Sequence, residues 1–256
     1  MSNYVSLFGI RINRMTMAEA VAQLREWTDG EETTCRYVVT PNVDHTVMFR
    51  ERSDLRAAYS GASLVLADGF PVVLAAKFLR RPLPERVPGS DLAPALFASA
   101  TASKPMRVYL LGAGPGVAER AATRIMAQWP HVEVCGTYSP PLGFERDPME
   151  NTAIIERVNA ARADVLVVGL GAPKQELWVA AQRHRLQVKT ALCIGATIDF
   201  LAGEKSRAPR WMQRCGLEWV HRVVSEPRRL FKRYARDAWI FPQLVWNEWR
   251  GMTALR

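Results

Sequence analysis

The feature that most restricts the fold is a series of short, nearly continuous apolar runs, each followed by a segment with helical spacing. Residues 164–169 (DVLVVG) are the clearest case. A strand without alternation of polar and apolar side chains has both faces covered, the condition of a parallel sheet sandwiched between helices. Further β-prone runs occupy 37–40 (YVVT), 63–67 (SLVLA), 107–111 (RVYLL), 132–136 and 190–195. Segments 43–56, 71–79, 117–129, 154–161 and 175–184 have helical spacing. Strands alternating with helices predict an α/β fold with a mostly parallel sheet and helices on both faces. Ligands of such sheets bind at the carboxyl ends of the strands. The segments after the strands are therefore expected to share one rim: TPN at 40–42, Asp68-Gly69, GAGPG at 112–116 and GLGAPKQ at 169–175.

Charge divides the chain in two. Lys and Arg number 34 against 25 acids, a net +9. Residues 203–256 hold twelve of the bases against five acids, and five of the eight tryptophans. The sequence thus predicts a nearly neutral core over 1–202 and a basic, Trp-rich appendage over 203–256. Anionic lipid headgroups attract clustered Lys and Arg, and indole rings favour the same interface. A membrane surface is the partner this composition favours, ahead of a plain packed helix with tryptophan core and of nucleic acid. No uncharged apolar run reaches the roughly 18–20 residues that cross a bilayer. The first residues lack a signal-peptide pattern. The expected location is cytoplasmic, peripheral on the inner face of the cell membrane. Hydrophobic residues at 48% and charged residues at 23% exclude a disordered chain. Four dispersed cysteines without a CxxC pair argue for reduced thiols rather than disulfides or structural zinc.

Each rim residue has a plain reading and a chemical one. Asp68 suits a helix N-cap, or a general base that takes a proton from an attacking hydroxyl, an effect of roughly 10²–10⁴-fold. Gly112 and Gly114 form a tight strand–helix turn or let backbone N–H groups approach a diphosphate. The spacing is G-x-G-x-G, and Pro115 removes a donor, so the dinucleotide signal is weak. Thr40 and Asn42 flank Pro41 and serve either turn chemistry or sugar and nucleotide binding. Glu176 is explained by the positive end of a helix, whereas Lys174 and Gln175 have no such explanation and are better site candidates. No D-x-D triplet, P-loop, G-x-S-x-G elbow or histidine cluster is present, so neither a metal nor a resident cofactor is signalled.

The rim motifs match a known pattern in order and spacing: TPNVD at 40–44, LADGFP at 66–71, RVPGSD at 86–91, LGAGPGVAE at 111–119, GLGAPKQELW at 169–178, RAPRWM at 207–212, GLEW at 216–219 and EPRR at 226–229. Over residues 5–240 the chain resembles the WecG/TagA/CpsF glycosyltransferase family. The resemblance implies a Rossmann-like core with a C-terminal appendage. It implies an inverting, metal-independent transfer from a UDP-sugar to a polyprenyl-diphosphate-linked sugar, for bacterial surface polysaccharides. Asp68 matches the family's proposed base. Thr40, Asn42 and Gln175 match its pocket residues, with Arg86, Gly112, Gly114 and Lys174 as further substrate-binding candidates. Arg207, Arg210, Arg214 and Arg222 are candidates for closing over the diphosphate, and a homo-oligomer is compatible with the resemblance. Two other readings stay open: a nucleotide-dependent oxidoreductase built on the glycine-rich turn, and a non-catalytic module that docks through the basic tail.

Overall fold

The computed structural model describes residues 3–32 and 34–254. The chain opens with an antiparallel hairpin, β1 (Tyr4–Leu7) and β2 (Ile10–Asn13), followed by α1 (Met17–Asp29). A capping box starts α1: the Thr16 hydroxyl accepts from the Glu19 N–H, and the Glu19 carboxylate accepts from the Thr16 N–H at 2.7 Å. There follow β3 (Arg36–Val39), α2 (Val43–Glu51), α3 (Ser53–Ser60), β4 (Leu64–Val65), α4 (Phe70–Phe78), α5 (Gly89–Ala98), β5 (Met106–Gly112), α6 (Val117–Gln128), β6 (Val132–Tyr138), α7 (Pro148–Ala160), β7 (Val165–Gly169), α8 (Lys174–Gln182), β8 (Thr190–Cys193) and α9 (Thr197–Ala202).

Six strands form one sheet in the order β4-β3-β8-β7-β5-β6, every neighbouring pair parallel. Both faces are buried, as the apolar runs predict. Tyr37, Val39, Tyr109, Leu111, Leu166 and Val168 point into one core, with residues of the hairpin, α2, α3, α4, α7 and α8. Val38, Val108, Leu110, Val165 and Val167 point into the other, with residues of α1, α5, α6 and α9. The fold is Rossmann-like α/β, as expected.

Some local expectations change. The helix expected over 43–56 is two helices, because Arg52 is extended (φ −114°, ψ 109°) and the Asp54 carboxylate accepts from both Arg52 and the Leu55 N–H. The helix expected over 154–161 begins six residues earlier, where Asp147 caps the Met149 and Glu150 N–H groups ahead of Pro148. The N-terminal hairpin, α1 and α5 were not among the expected elements.

The C-terminal residues form α10 (Arg210–Arg214), α11 (Glu218–Ser225) and α12 (Pro227–Ala254). The inward face of α12 follows a helical stripe: Leu230, Asp237 and Leu244 are buried, with Tyr234 and Phe241 half-buried between them. α12 lies against α2. The Phe241 ring meets Phe8 edge to face at 5.4 Å, and Asp44 of α2 holds Arg236 at 2.7 Å and Arg233 at 3.5 Å. Trp249 packs toward the body, whereas Trp239 and Trp246 are 75% and 54% exposed. Among the described residues no helix is long and apolar enough to cross a membrane.

Gly112 ends β5 with φ +114°, and a Cβ there would lie 2.5 Å from the Gly169 carbonyl oxygen on β7. A Cβ on Gly114 would meet only Val117, at 3.5 Å. Backbone strain of this kind costs about 1–3 kcal/mol per residue. In urea denaturation, G112A should lose about 2 kcal/mol or more, and G114A under about 1 kcal/mol. Equal losses would refute the assignment of Gly112 to a backbone close approach.

Candidate active site

The carboxyl ends of β3 and β4 open into a cleft of about 240 Å³, closed on its far side by α11 and α12. Asp68 follows β4 at the base of this cleft. Its N–H donates to the Pro41 carbonyl at 3.0 Å, which ties it to the loop after β3. It is not a helix cap: the residue in that place is Gly69, and α4 starts without a side-chain cap. Among the described residues the Asp68 carboxylate makes no hydrogen bond. Burial pushes its pKa up to about 6; Arg222 pulls it down, Glu218 pushes it up, and Arg86 and His45 pull it down. The carboxyl group is thereby poised to exchange a proton near neutrality.

Cations surround it. Arg86 and Arg222 share Glu218, at 3.3 Å and 3.6 Å, and the Arg222 guanidinium also lies over the Phe200 ring. Arg233 reaches the cleft wall from α12, its Nε buried without a partner. Aromatic and apolar groups, Phe70, Trp219, Tyr234 and Phe241, complete the walls. A pocket that pairs apolar walls with a few convergent charges suits an organic ligand bearing anionic groups.

Beneath the cleft lies a layer of buried polar groups. Asn42 caps α2, accepting the His45 N–H at 3.3 Å. The His45 ring lies between Asn42 Oδ1, 3.0 Å from Nδ1, and Glu176 Oε1, 3.2 Å from Nε2. Gln175 Nε2 donates to the same Glu176 oxygen at 2.8 Å, and Gln175 Oε1 accepts from the Gly195 N–H at 3.1 Å. Thr40 Oγ1 donates to the Cys193 carbonyl at 3.5 Å. Glu176 is 0% exposed and Gln175 2% exposed.

The expected site residues therefore separate. Asn42, Asp68, Arg86 and Arg222 line one cleft. Thr40 and Gln175 sit below it, their polar atoms engaged with neighbouring loops. Gly112 and Gly114 are on the same sheet edge but past β7, where Ser139 Oγ donates to both carbonyls. Lys174 pairs with Glu145 at 3.1 Å. Arg207 binds Asp91 and, at 3.2 Å, Gln213, which anchors the start of the tail on α5. The side chains of Arg210 and Arg214 lie outside those described. Sequence reasoning missed Glu218, Arg233, Tyr234 and Asp237, which reach the cleft from helices 150 or more residues beyond Asp68. The signal available was an acid, Asp237, at an inward position of an otherwise apolar stripe. Burial, and then the Asp44 charge, raise its pKa, while Arg236 and Arg233 oppose the rise. Glu176 and His45 were also passed over, one as a helix-dipole residue and the other as an isolated histidine. Among the described residues no group of three His, Cys, Asp or Glu side chains gathers as a metal ion would require.

The model of the glycosyl transferase WecG/TagA/CpsF family matches residues 5–254. Among curated proteins the chain is similar to the N-acetylglucosaminyldiphosphoundecaprenol N-acetyl-beta-D-mannosaminyltransferase of Staphylococcus aureus strain MRSA252, 26% identical over 226 residues, 88% of this chain and 86% of that one. The protein of the same description from strain MW2 is 25% identical over the same shares. With the family pattern matched over nearly the whole length, the chain belongs to the WecG/TagA/CpsF family of glycosyl transferases.

Proposed function

We propose that this glycosyltransferase is inverting and metal-independent, and that it moves a hexose or N-acetylhexosamine-type sugar from a UDP-sugar to a sugar carried on a polyprenyl diphosphate. The product would serve a bacterial surface polysaccharide. The observation that carries the reading is the Asp68 carboxylate, half-buried near Arg86 and Arg222 at the floor of the cleft and without a hydrogen bond among the described residues. The relatives' description, a mannosaminyl transfer to an N-acetylglucosaminyl-diphospho-undecaprenol, supports the acceptor class. The oxidoreductase alternative loses its motif, because the close approach of β5 and β7 already accounts for Gly112.

In this mechanism Asp68 takes the proton of the acceptor hydroxyl as its oxygen attacks C1 of the donor sugar. The C1–oxygen bond to UDP breaks on the opposite face, its electron pair stays on the diphosphate, and the anomeric centre inverts. Arg86, Arg222 and Arg233 supply positive charge where that negative charge develops, which fixed donors do better than water because they need no reorganisation. Asn42 holds the sugar near Asp68. Arg210 and Arg214 of α10 remain the family-based candidates for further diphosphate contacts. The appendage meets the bilayer from the cytoplasmic side through exposed Trp239 and Trp246, with Arg228 and Lys232 exposed nearby in sequence on the same helix.

Three outcomes are expected. D68N should lower kcat by 10²-fold or more while UDP-sugar binding, read by calorimetry, changes little; wild-type turnover would remove Asp68 as base. For the wild-type chain, kcat/KM should fall about tenfold per pH unit below about pH 6, because the base works only when ionised, and activity should survive EDTA. R228Q/K232Q should weaken flotation with anionic vesicles by about 30-fold at low salt, on about 1 kcal/mol per surface cation; unchanged flotation would dismiss the appendage as the contact.

A further inference from the structure

Two amide groups around His45 are fixed in orientation by backbone donors. The Gly195 N–H identifies Oε1 of Gln175, so Nε2 is the group that donates to Glu176. The His45 N–H identifies Oδ1 of Asn42, so the atom 3.0 Å from His45 Nδ1 is an acceptor. At the other end of the ring, Nε2 faces the Glu176 carboxylate at 3.2 Å. Both ring nitrogens thus face oxygens. An imidazolium donates on both sides, whereas a neutral ring protonated at Nε2 keeps the Glu176 bond and turns its Nδ1 lone pair toward Asn42. The Asn42 N–H donates to Nδ1 at 3.4 Å, completing the capping box of α2, so it is the carboxylates around the ring, not the contacts of Nδ1, that favour the cation.

The same residues bind the loops of the site together. Asn42 packs on Gly69, where a Cβ would come within 3.2 Å of the Asn42 Cα, and the Asp68 N–H is held by Pro41. The connection therefore runs from Gly195 through Gln175, Glu176, His45 and Asn42 to Asp68. We propose that the His45–Glu176 pair is a positioning element of the active site, holding the Asn42 and Asp68 loops in register and keeping a fixed positive charge beneath the base. The role rests on the reading of Asp68 as that base.

The groups facing His45 come from every element around it. They are Glu176 from α8, Asp44 from its own helix, Asp68 from the loop after β4, and the Tyr59 ring from α3 at 6.4 Å. Burial opposes a charge on the ring, but the Glu176 hydrogen bond and the three carboxylates outweigh it, and the histidine pKa is raised. Among the described residues Glu176 Oε2 has no hydrogen-bond partner, so an amide at this position loses no hydrogen bond of that oxygen.

The test is E176Q in the full-length chain. Gln keeps an oxygen for Gln175 and His45 but removes the charge. His45 should then lose its proton near neutrality. Without that cation, Asp68 holds its own proton to higher pH, so the acid limb of kcat/KM should move up by about half a pH unit or more. H45Q should move the limb in the same direction. ¹⁵N shifts should show His45 keeping its second proton to higher pH in the wild-type chain than in E176Q. A His45 that holds its proton no more strongly in the wild-type chain than in E176Q, or a limb that stays put in E176Q while D68N abolishes it, overturns the positioning role and leaves the base. A limb that persists in the residual activity of D68N overturns the base reading, and the proposal with it.

Discussion

Six parallel strands buried on both faces cannot be joined by tight turns, and that constraint organises the rest of the molecule. Each return needs a crossover long enough to cover the sheet, so helices coat both faces and every carboxyl end emerges at one edge. Loops after β3, β4, β7 and β8, distant in sequence, become neighbours there. The polar layer from Gly195 to Asn42 exists because β8, β7 and β3 end side by side.

The cleft adds a second constraint, electrostatic in kind. A carboxylate removed from water resists ionisation, and nearby Arg222, Arg86 and His45 pull it back toward the charged form. The result is a group that titrates near neutrality rather than near the usual carboxylate value of about 4. Glu218 moderates the arginines by engaging two of them at once. A leaving anion would relieve that compromise, since it offers the same guanidinium groups a stronger partner.

Part of this was legible in the sequence. The continuous apolar runs at 164–169 and 190–195 read as strands covered on both sides, and Asp68, Asn42, Arg86 and Arg222, named as site candidates, line one cleft. Thr40 and Gln175 were on the right loops but face inward, because a rim residue's depth depends on which neighbouring loop presents a free backbone group. Gly112 read as either a tight strand–helix turn or a diphosphate loop, and its positive φ answers a carbonyl 57 residues away on β7. Arg207, counted with the diphosphate arginines, is engaged by Asp91. Tail tryptophans divide between packing and exposure according to which side of α12 they occupy, and the 4-3-4-3 spacing of Leu230, Tyr234, Asp237, Phe241 and Leu244 already contained that division.

The amino-acid pattern alone determined the parallel α/β architecture, the basic, Trp-rich composition of the tail and the carboxylate at the sheet edge, because these follow from periodicity, composition and local charge. The tertiary structure decided which of the rim residues reach the cleft, which lie buried under it, and that α11 and α12 close over Asp68. It also decided that His45 and Glu176, unremarkable where each stands in the chain, meet in one buried hydrogen bond. Contacts between residues 131 positions apart depend on strand order and loop depth, and neither leaves a trace in local sequence.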